Sequence, residues 1–445
     1  MTADLLSLLD DCIGRALKAG ADAADALAYD SQSVNVARRL NQPERLERSE
    51  SRDLGLRVLI GKRQAMVSTS ERTPEALAAL VERAVTMARA VPEDPYCGLA
   101  DTDQIAKSWP DLDLADPAEP SVDQLIALAT ETEQAALAVP GVTNSEGAEA
   151  SWGRSDIALV ASNGFAGAYG VTHFSLSAAV LAGTGTGMER DYDYTSAGHA
   201  ADLRPAAEVG RSAGERAVRR LNPRKGATAT LPVVFDWRVS SGLLGSLSGA
   251  ISGPSIARGT SFLRDKLGEE IFGPGIEIVD DPHLVRGHRS RPFDGEGVAP
   301  AKRAIVENGR LTTWLLDLRS ARQLGLKTTG HASRGTGGPP APSPSNLALM
   351  PGPKSPEALI GEIESGLYVT ELMGMGVNGV TGDYSRGAAG YWIEKGKLAY
   401  PVSEMTIASN LKDMYKALTP ANDLVRRYGV DAPTLRIDGM MIAGR

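Results

Sequence analysis

Cysteine is nearly absent from this sequence: Cys12 and Cys97 are the only two in 445 residues. Two isolated thiols build no disulfide framework, and neither stands in a metal-type cluster, so a reducing compartment fits. Aromatic residues are scarce as well, at 5%, which disfavours a core of large rings and points to small aliphatics joined by many turns. Positive charge is in deficit, with 47 Lys and Arg against 55 Asp and Glu and a net charge of −8. No global positive field exists to draw in a phosphate backbone, so direct nucleic acid binding is not expected. No run approaches the roughly 18 apolar residues that cross a bilayer, and Asp4 stands where a secretory signal needs basic residues. The expectation is a cytoplasmic protein with no membrane contact.

What is present is ordinary globular composition, 42% apolar and 23% charged, with 48 glycines and 26 prolines. A chain this long exceeds one small domain. Leu5, Leu6, Leu9, Cys12, Ile13, Ala16 and Leu17 recur at helical spacing between Thr2 and Ala19, and Gly20 stops the pattern. From Asp22 to Ser70 the period changes to two, most clearly at Leu54, Leu56, Val58 and Ile60, followed by a Gly61-Lys62 turn and a partner strand. Thr73-Pro74-Glu75 then opens a helix to about Ala90, because Thr caps free N–H groups and Pro at the first helical position loses no bond.

Val91–Pro120 is rich in Pro and Asp and reads as a connector, after which the pattern recurs. A helix over Ser121–Ala138 precedes period-two segments between Thr143 and Thr195, and a helix over Pro205–Leu221 follows. The fold class expected is α+β in two parts. Residues 1–225 form a pseudo-repeated helix, β-meander, helix half with sub-units 1–95 and 120–222, and residues 226–445 form a mainly β half. A plain alternation of helices and strands gives the same pattern, and periodicity leaves both open. In the second half Val239–Ile251 reads as a helix of small and apolar residues. Asn308-Gly309 and Glu394-Lys395-Gly396-Lys397 mark hairpins, and Gly335–Pro344 reads as a mobile loop.

Searches for chemistry are mostly negative. None of the five histidines lies in an H-E-x-x-H pattern, and His283 and His288 are spaced so as to diverge on either a helix or a strand. Asp280, Asp281, Asp294 and Glu296 nearby read as solvated loop residues. Gly374-Met375-Gly376-Val377-Asn378-Gly379 matches G-x-G-x-x-G but is followed by turn residues where a dinucleotide site needs a helix start. Gly245-Ser246-Leu247-Ser248-Gly249 misses the nucleophile-elbow spacing.

Seven strings nevertheless occur in a recognisable order: Gly259-Thr260-Ser261-Phe262-Leu263, Pro292-Phe293-Asp294-Gly295-Glu296-Gly297, Leu315-Leu316-Asp317 through Ser320-Ala321-Arg322, Lys327-Thr328-Thr329-Gly330-His331, Val369-Thr370-Glu371-Leu372-Met373-Gly374, Gly382-Asp383-Tyr384-Ser385-Arg386-Gly387 and Pro401-Val402-Ser403-Glu404. In this the chain resembles the TldD/TldE metalloprotease family, and more closely its TldE (PmbA) branch. The resemblance implies a cytoplasmic metallopeptidase complex of two homologous subunits. In the catalytic TldD branch an H-E-x-x-x-H helix and a later cysteine hold the metal, and the glutamate activates water.

Anchored on Gly259-Thr260-Ser261, the corresponding segment here is Leu244-Gly245-Ser246-Leu247-Ser248-Gly249. Leu244, Gly245 and Gly249 supply neither a ligand nor a base, and Asp423–Arg445 contains no cysteine. The resemblance therefore implies a non-catalytic subunit that holds no cofactor itself, with zinc in a TldD-type partner and peptides as substrates. Self-pairing into a homodimer is expected when the chain is alone, and the small residues around Gly245 would permit close helix packing. The family is further associated with maturation of modified peptides, degradation of unfolded peptides and, historically, DNA gyrase. Two other functions stay open, an independent hydrolase with an unrecognised site and a peptide-binding module without turnover. Glycine along Gly374–Gly390 leaves room for backbone to approach backbone, so this segment is expected to form a peptide groove. Asp383, Tyr384 and Arg386 are candidates to line or brace it, with His331 beside the 335–344 loop; a tight turn with an internal Asp–Arg pair is the alternative.

Overall fold

The computed structural model describes residues 2–444. The N-terminal half begins with α1 (Thr2–Lys18), β1 (Ala23–Arg39), β2 (Gln42–Ile60), β3 (Arg63–Thr69) and α2 (Pro74–Ala90). The same order returns in α3 (Val122–Leu137), β4 (Val142–Ala161), β5 (Ala166–Ala182), β6 (Glu189–Ala197) and α4 (Ala206–Arg219). Local chemistry sets the helix ends. The Thr73 hydroxyl accepts the Ala76 N–H before α2, and Ser121 and Gln124 form a reciprocal capping box before α3.

The two units are joined edge to edge. Their first strands, β1 and β4, pair antiparallel in the middle of one six-stranded sheet of order β3-β2-β1-β4-β5-β6. Apolar residues of one face, Leu54, Leu56 and Val58 among them, pack beneath α1 and α2. The intervening residues of β2, Gly55, Arg57 and Leu59, are buried too, because the C-terminal half covers the opposite face. Gly55 is the point of closest approach: a Cβ there would lie 2.2 Å from the Thr336 carbonyl oxygen. The 335–344 loop, expected to be free, is thus held against the sheet. An aromatic cluster seals the junction, with Phe293 edge-on to Phe165 at 4.9 Å, Trp109 at 5.0 Å and Tyr169 at 5.3 Å.

The C-terminal half contains β7 (Ala229–Phe235), α5 (Trp237–Ala250), α6 (Gly253–Ala257), β8 (Ile278–Asp281), β9 (Arg303–Glu307), β10 (Arg310–Leu311), α7 (Leu318–Gln323), β11 (Ala332–Ser333) and β12 (Ala341–Pro342). It continues through β13 (Asn346–Leu349), α8 (Pro356–Gly361), β14 (Ser365–Met373), β15 (Asp383–Glu394), β16 (Lys397–Asn410), α9 (Leu411–Ala417), β17 (Leu418–Pro420), β18 (Val430–Asp431) and β19 (Leu435–Ala443). Strands β16, β15, β14, β7 and β19 follow one another, and β16 also pairs with β19, which closes a barrel. A second sheet of order β10-β9-β8-β13-β18 lies against it around one shared apolar core. With 24% helix and 39% strand the fold is mixed α+β, and its second half is mainly β.

Candidate functional site

Three of the seven strings meet in one buried polar knot between the halves. Asp294, Glu296, Asp317, Thr329 and His331 are all buried. The two Asp294 carboxylate oxygens accept backbone N–H groups of Glu296, Val298 and Ala332 at 2.9–3.1 Å. Glu296 accepts the Leu318 N–H at 2.8 Å and faces Arg57 of β2 at 4.0 Å. Burial pushes its carboxyl up to about 8, neighbouring Asp294 adds to the rise and Arg57 opposes it. Asp294 is raised for the same first reason, against its three backbone donors. Asp25 goes the other way: burial alone would raise it, but Arg334 and Arg57 together hold it below the usual carboxylate range. His331 belongs to this knot, its Nδ1 2.8 Å from Thr329 Oγ1 and its Nε2 3.2 Å from Asp280.

These positions correct two expectations. Asp280, Asp281, Asp294 and Glu296 are buried, since the N-terminal sheet and strands β8 and β13 enclose them. His331, with 2% of its surface exposed, lines no groove.

The Gly374–Gly390 segment offers no free strand edge either. β15 is paired with β14 on one side and β16 on the other, and the stretch after β14 doubles back so that Ser385 N–H donates to Gly376 O at 2.7 Å. Asp383 is exposed and accepts from Thr381 Oγ1 at 2.6 Å and Asn410 Nδ2 at 3.1 Å, bonds that hold its carboxyl below its ordinary value. Arg386 donates to the Met373 carbonyl at 3.2 Å, so the two residues take different partners. Tyr384 is buried, which pushes its phenol up to about 12. What the segment does form is a shallow depression of about 720 Å³, lined in part by Met375, Asn378, Asp383 and Ser409.

On α5, Leu244 points into the core while Gly245 and Gly249 lie on the outer face with Gly242. Nothing comes within 4 Å of a Cβ built at any of the three glycines, so no element of this chain packs there. Ser246 and Ser248 turn their hydroxyls back onto the helix carbonyls of Gly242 and Leu244 at 3.1 and 3.0 Å. That face carries no imidazole, thiolate or carboxylate, so these residues do not fit a zinc ion. Among the described residues no three His, Cys, Asp or Glu side chains are grouped to hold a metal.

Sequence reasoning missed a cleft of about 490 Å³ between the halves, lined by Ser196, Arg204, Arg286, His288, Arg427 and Tyr428 among others. Ser196 Oγ lies 2.9 Å from His288 Nε2 and 3.4 Å from His173 Nε2. Burial lowers the His288 imidazole below its ordinary value, with His173 adding to the effect. The residues come from β5, β6 and the 282–291 segment, and no local spacing links them.

Three family models, described as PmbA/TldA metallopeptidase domain 1, central domain and C-terminal domain, match residues 24–88, 115–221 and 228–444. The chain is 40% identical over 443 residues to the metalloprotease PmbA of Escherichia coli O157:H7, covering 98% of this chain and 96% of that protein. It is 38% identical over 432 residues to the PmbA homolog of Haemophilus influenzae, covering 96% and 94%. The crystal structure of a proposed modulator of DNA gyrase from Bacteroides thetaiotaomicron superposes with a TM-score of 0.92 at 30% identity, over 99% of this chain and 98% of that one. The whole chain, from its first strand to its last, therefore belongs to the PmbA/TldD family of metalloproteases.

Proposed function

We propose that this chain is the non-catalytic subunit of a heteromeric TldD/TldE-type metalloprotease of the cytoplasm, acting on unfolded or modified peptides. The observation that carries the reading is the bare outer face of α5, where Gly242, Gly245 and Gly249 leave no side chain and no metal donor. A protein of a metallopeptidase family that lacks ligands on this helix relies on a partner for metal and for the water-activating base. The partner in this reading is a TldD-type subunit that carries the zinc. The test is metal analysis of the purified chain, then peptide cleavage by the chain alone and after co-expression with a TldD-type subunit. Sub-stoichiometric zinc and chelator-sensitive cleavage only in the co-expressed complex are expected. One tightly held zinc per chain, lost when His283 or His288 is replaced, overturns the reading.

A second reading, an independent hydrolase, draws on the Ser196–His288 contact in the interdomain cleft. A serine within reach of a neutral imidazole is the start of a nucleophile–base pair. Chelator-insensitive cleavage by the isolated chain that disappears in Ser196→Ala is the result that would favour it.

A further inference from the structure

The interdomain cleft is basic in a chain whose net charge is −8. Arg204, Arg286, Arg426 and Arg427 line it, against the two acids Asp202 and Asp431. Both acids are already engaged. Asp202 takes Arg286 at 3.3 Å, and Asp431 accepts the N–H groups of Tyr428 and Gly429 at 3.0 and 3.1 Å. Arg204 is neutralised by Asp193 at 3.0 Å. Among the described residues neither Arg426 nor Arg427 forms an ion pair: Arg426 reaches only Met350 Sδ at 3.9 Å, and Arg427 stacks its guanidinium on the Trp237 ring at 3.9 Å. Arg427 is half-buried, and burial holds its guanidinium below the ordinary value. Arg204 adds to that shift, and Asp431 and Asp193 oppose it without cancelling it. A cation crowded in this way, in a cleft walled by protein, draws an anion.

We propose that this cleft binds a phosphate monoester, its dianionic phosphate held between Arg427 and the Ser196–His288 pair and its organic part against Val285 and Val425. The inference is independent of any proteolytic role of the chain.

Charge complementarity selects the class of ligand. Two guanidiniums without carboxylates carry two positive charges, which a monocarboxylate leaves half-neutralised. A phosphate monoester, whose second ionisation falls at about pH 6, matches them and offers three acceptor oxygens. The Ser196 hydroxyl supplies a further donor between two imidazoles, 2.9 Å from His288 Nε2 and 3.4 Å from His173 Nε2. At about 490 Å³ the cleft exceeds what a phosphate group fills. Val285 and Val425, 66% and 49% exposed, offer the remaining space an apolar surface.

Occupancy is coupled to protons. Burial lowers both imidazoles, and His288 faces His173, Arg289, Asp431 and the Tyr428 ring. A dianion beside them reverses the balance toward imidazolium, so binding takes up protons.

Isothermal titration of the full chain with phenyl phosphate and with inorganic phosphate, at neutral pH and constant ionic strength, tests the proposal. Phenyl phosphate is expected to bind once per chain and more tightly than inorganic phosphate, because only the ester reaches Val285 and Val425. Arg427→Gln and, separately, Val425→Glu are each expected to weaken it about ten-fold or more. Val425 is exposed, and an unchanged unfolding transition confirms that each variant folds. Titration in buffers of different ionisation enthalpy is expected to show net proton uptake. No binding of phenyl phosphate, affinity indifferent to both substitutions, or binding without proton uptake overturns the assignment. So does benzenesulfonate, a monoanion of similar shape, binding as tightly as phenyl phosphate.

Discussion

Arg334 of the C-terminal half donates from Nη1 to Asp25 Oδ1 of β1 at 2.6 Å, and both side chains are buried. Arg57 donates to the other carboxylate oxygen at 2.8 Å, so one aspartate is clasped by arginines from both halves of the chain. Arg57 faces Asp25 across the β1–β2 ladder of the same half, whereas Arg334 reaches it only when the halves are docked, which makes the Arg334–Asp25 contact a reporter of docking.

Removing Arg334 leaves the buried Asp25 carboxylate with Arg57 as its one remaining cationic partner, and losing half of the charge compensation of a buried group outweighs any gain from apolar packing. Arg334→Met is expected to destabilise the protein in urea unfolding by up to about 3–5 kcal/mol, the cost of a wholly uncompensated buried charge, reduced by what Arg57 still supplies. An unchanged midpoint would show that the pair is solvated in solution.

Glu296 gives the stability curve a pH dependence. Its folded value, about 8, lies above the 4.5 of an unperturbed glutamate, so the folded protein binds this proton more tightly than the unfolded chain does. The contribution is fully present below 4.5 and is lost as pH rises through about 8, amounting to roughly a few kcal/mol. Melting temperature measured across this range is expected to fall more steeply in the native protein than in Glu296→Gln, which keeps the neutral form at every pH. Parallel curves for the two would mean that Glu296 is already ionised in the folded state.

Gly245 stands in a helix interior with open space around it. Replacement by Ala relieves the backbone entropy cost of glycine and meets no obstacle, so Gly245→Ala is expected to stabilise the isolated chain by about 0.5–1 kcal/mol. Thermal unfolding checks this, and a destabilised variant would mean that the face of α5 is covered when the chain is alone.

Gly376 behaves oppositely. A Cβ there would sit 1.6 Å from the Ser385 carbonyl oxygen, inside the hydrogen-bonded return after β14. Gly376→Ala is expected to cost about 1–3 kcal/mol in chemical unfolding through the backbone shift it forces. A neutral result would place the 374–382 segment away from β15 in solution.

Much of the secondary structure was legible because its causes are local. Thr73-Pro74 and Ser121 with Gln124 set helix starts from side chains within three residues, and the structure begins α2 at Pro74 and α3 at Val122. Asn308 and Lys395 take the positive φ their hairpins need, at 46° and 50°, as turn residues there are expected to do. The candidate groove was not legible. Glycine spacing showed that backbone approaches backbone near Gly376 and Gly390 but not that the approaching backbone is the protein's own.

The sequence by itself determined the α+β class, the mainly β second half, the helix termini and the lack of metal donors over Leu244–Gly249, each settled by neighbours in the chain or by which side chains exist. Tertiary structure alone decided the rest. Pairing β15 with β14 on one side and β16 on the other removed the strand edge expected there, and laying the C-terminal half over the first sheet buried Glu296 against Arg57. It also brought Ser196 to His288. Burial and charge pairing depend on which distant residues share a space, and no spacing along the chain carries that information.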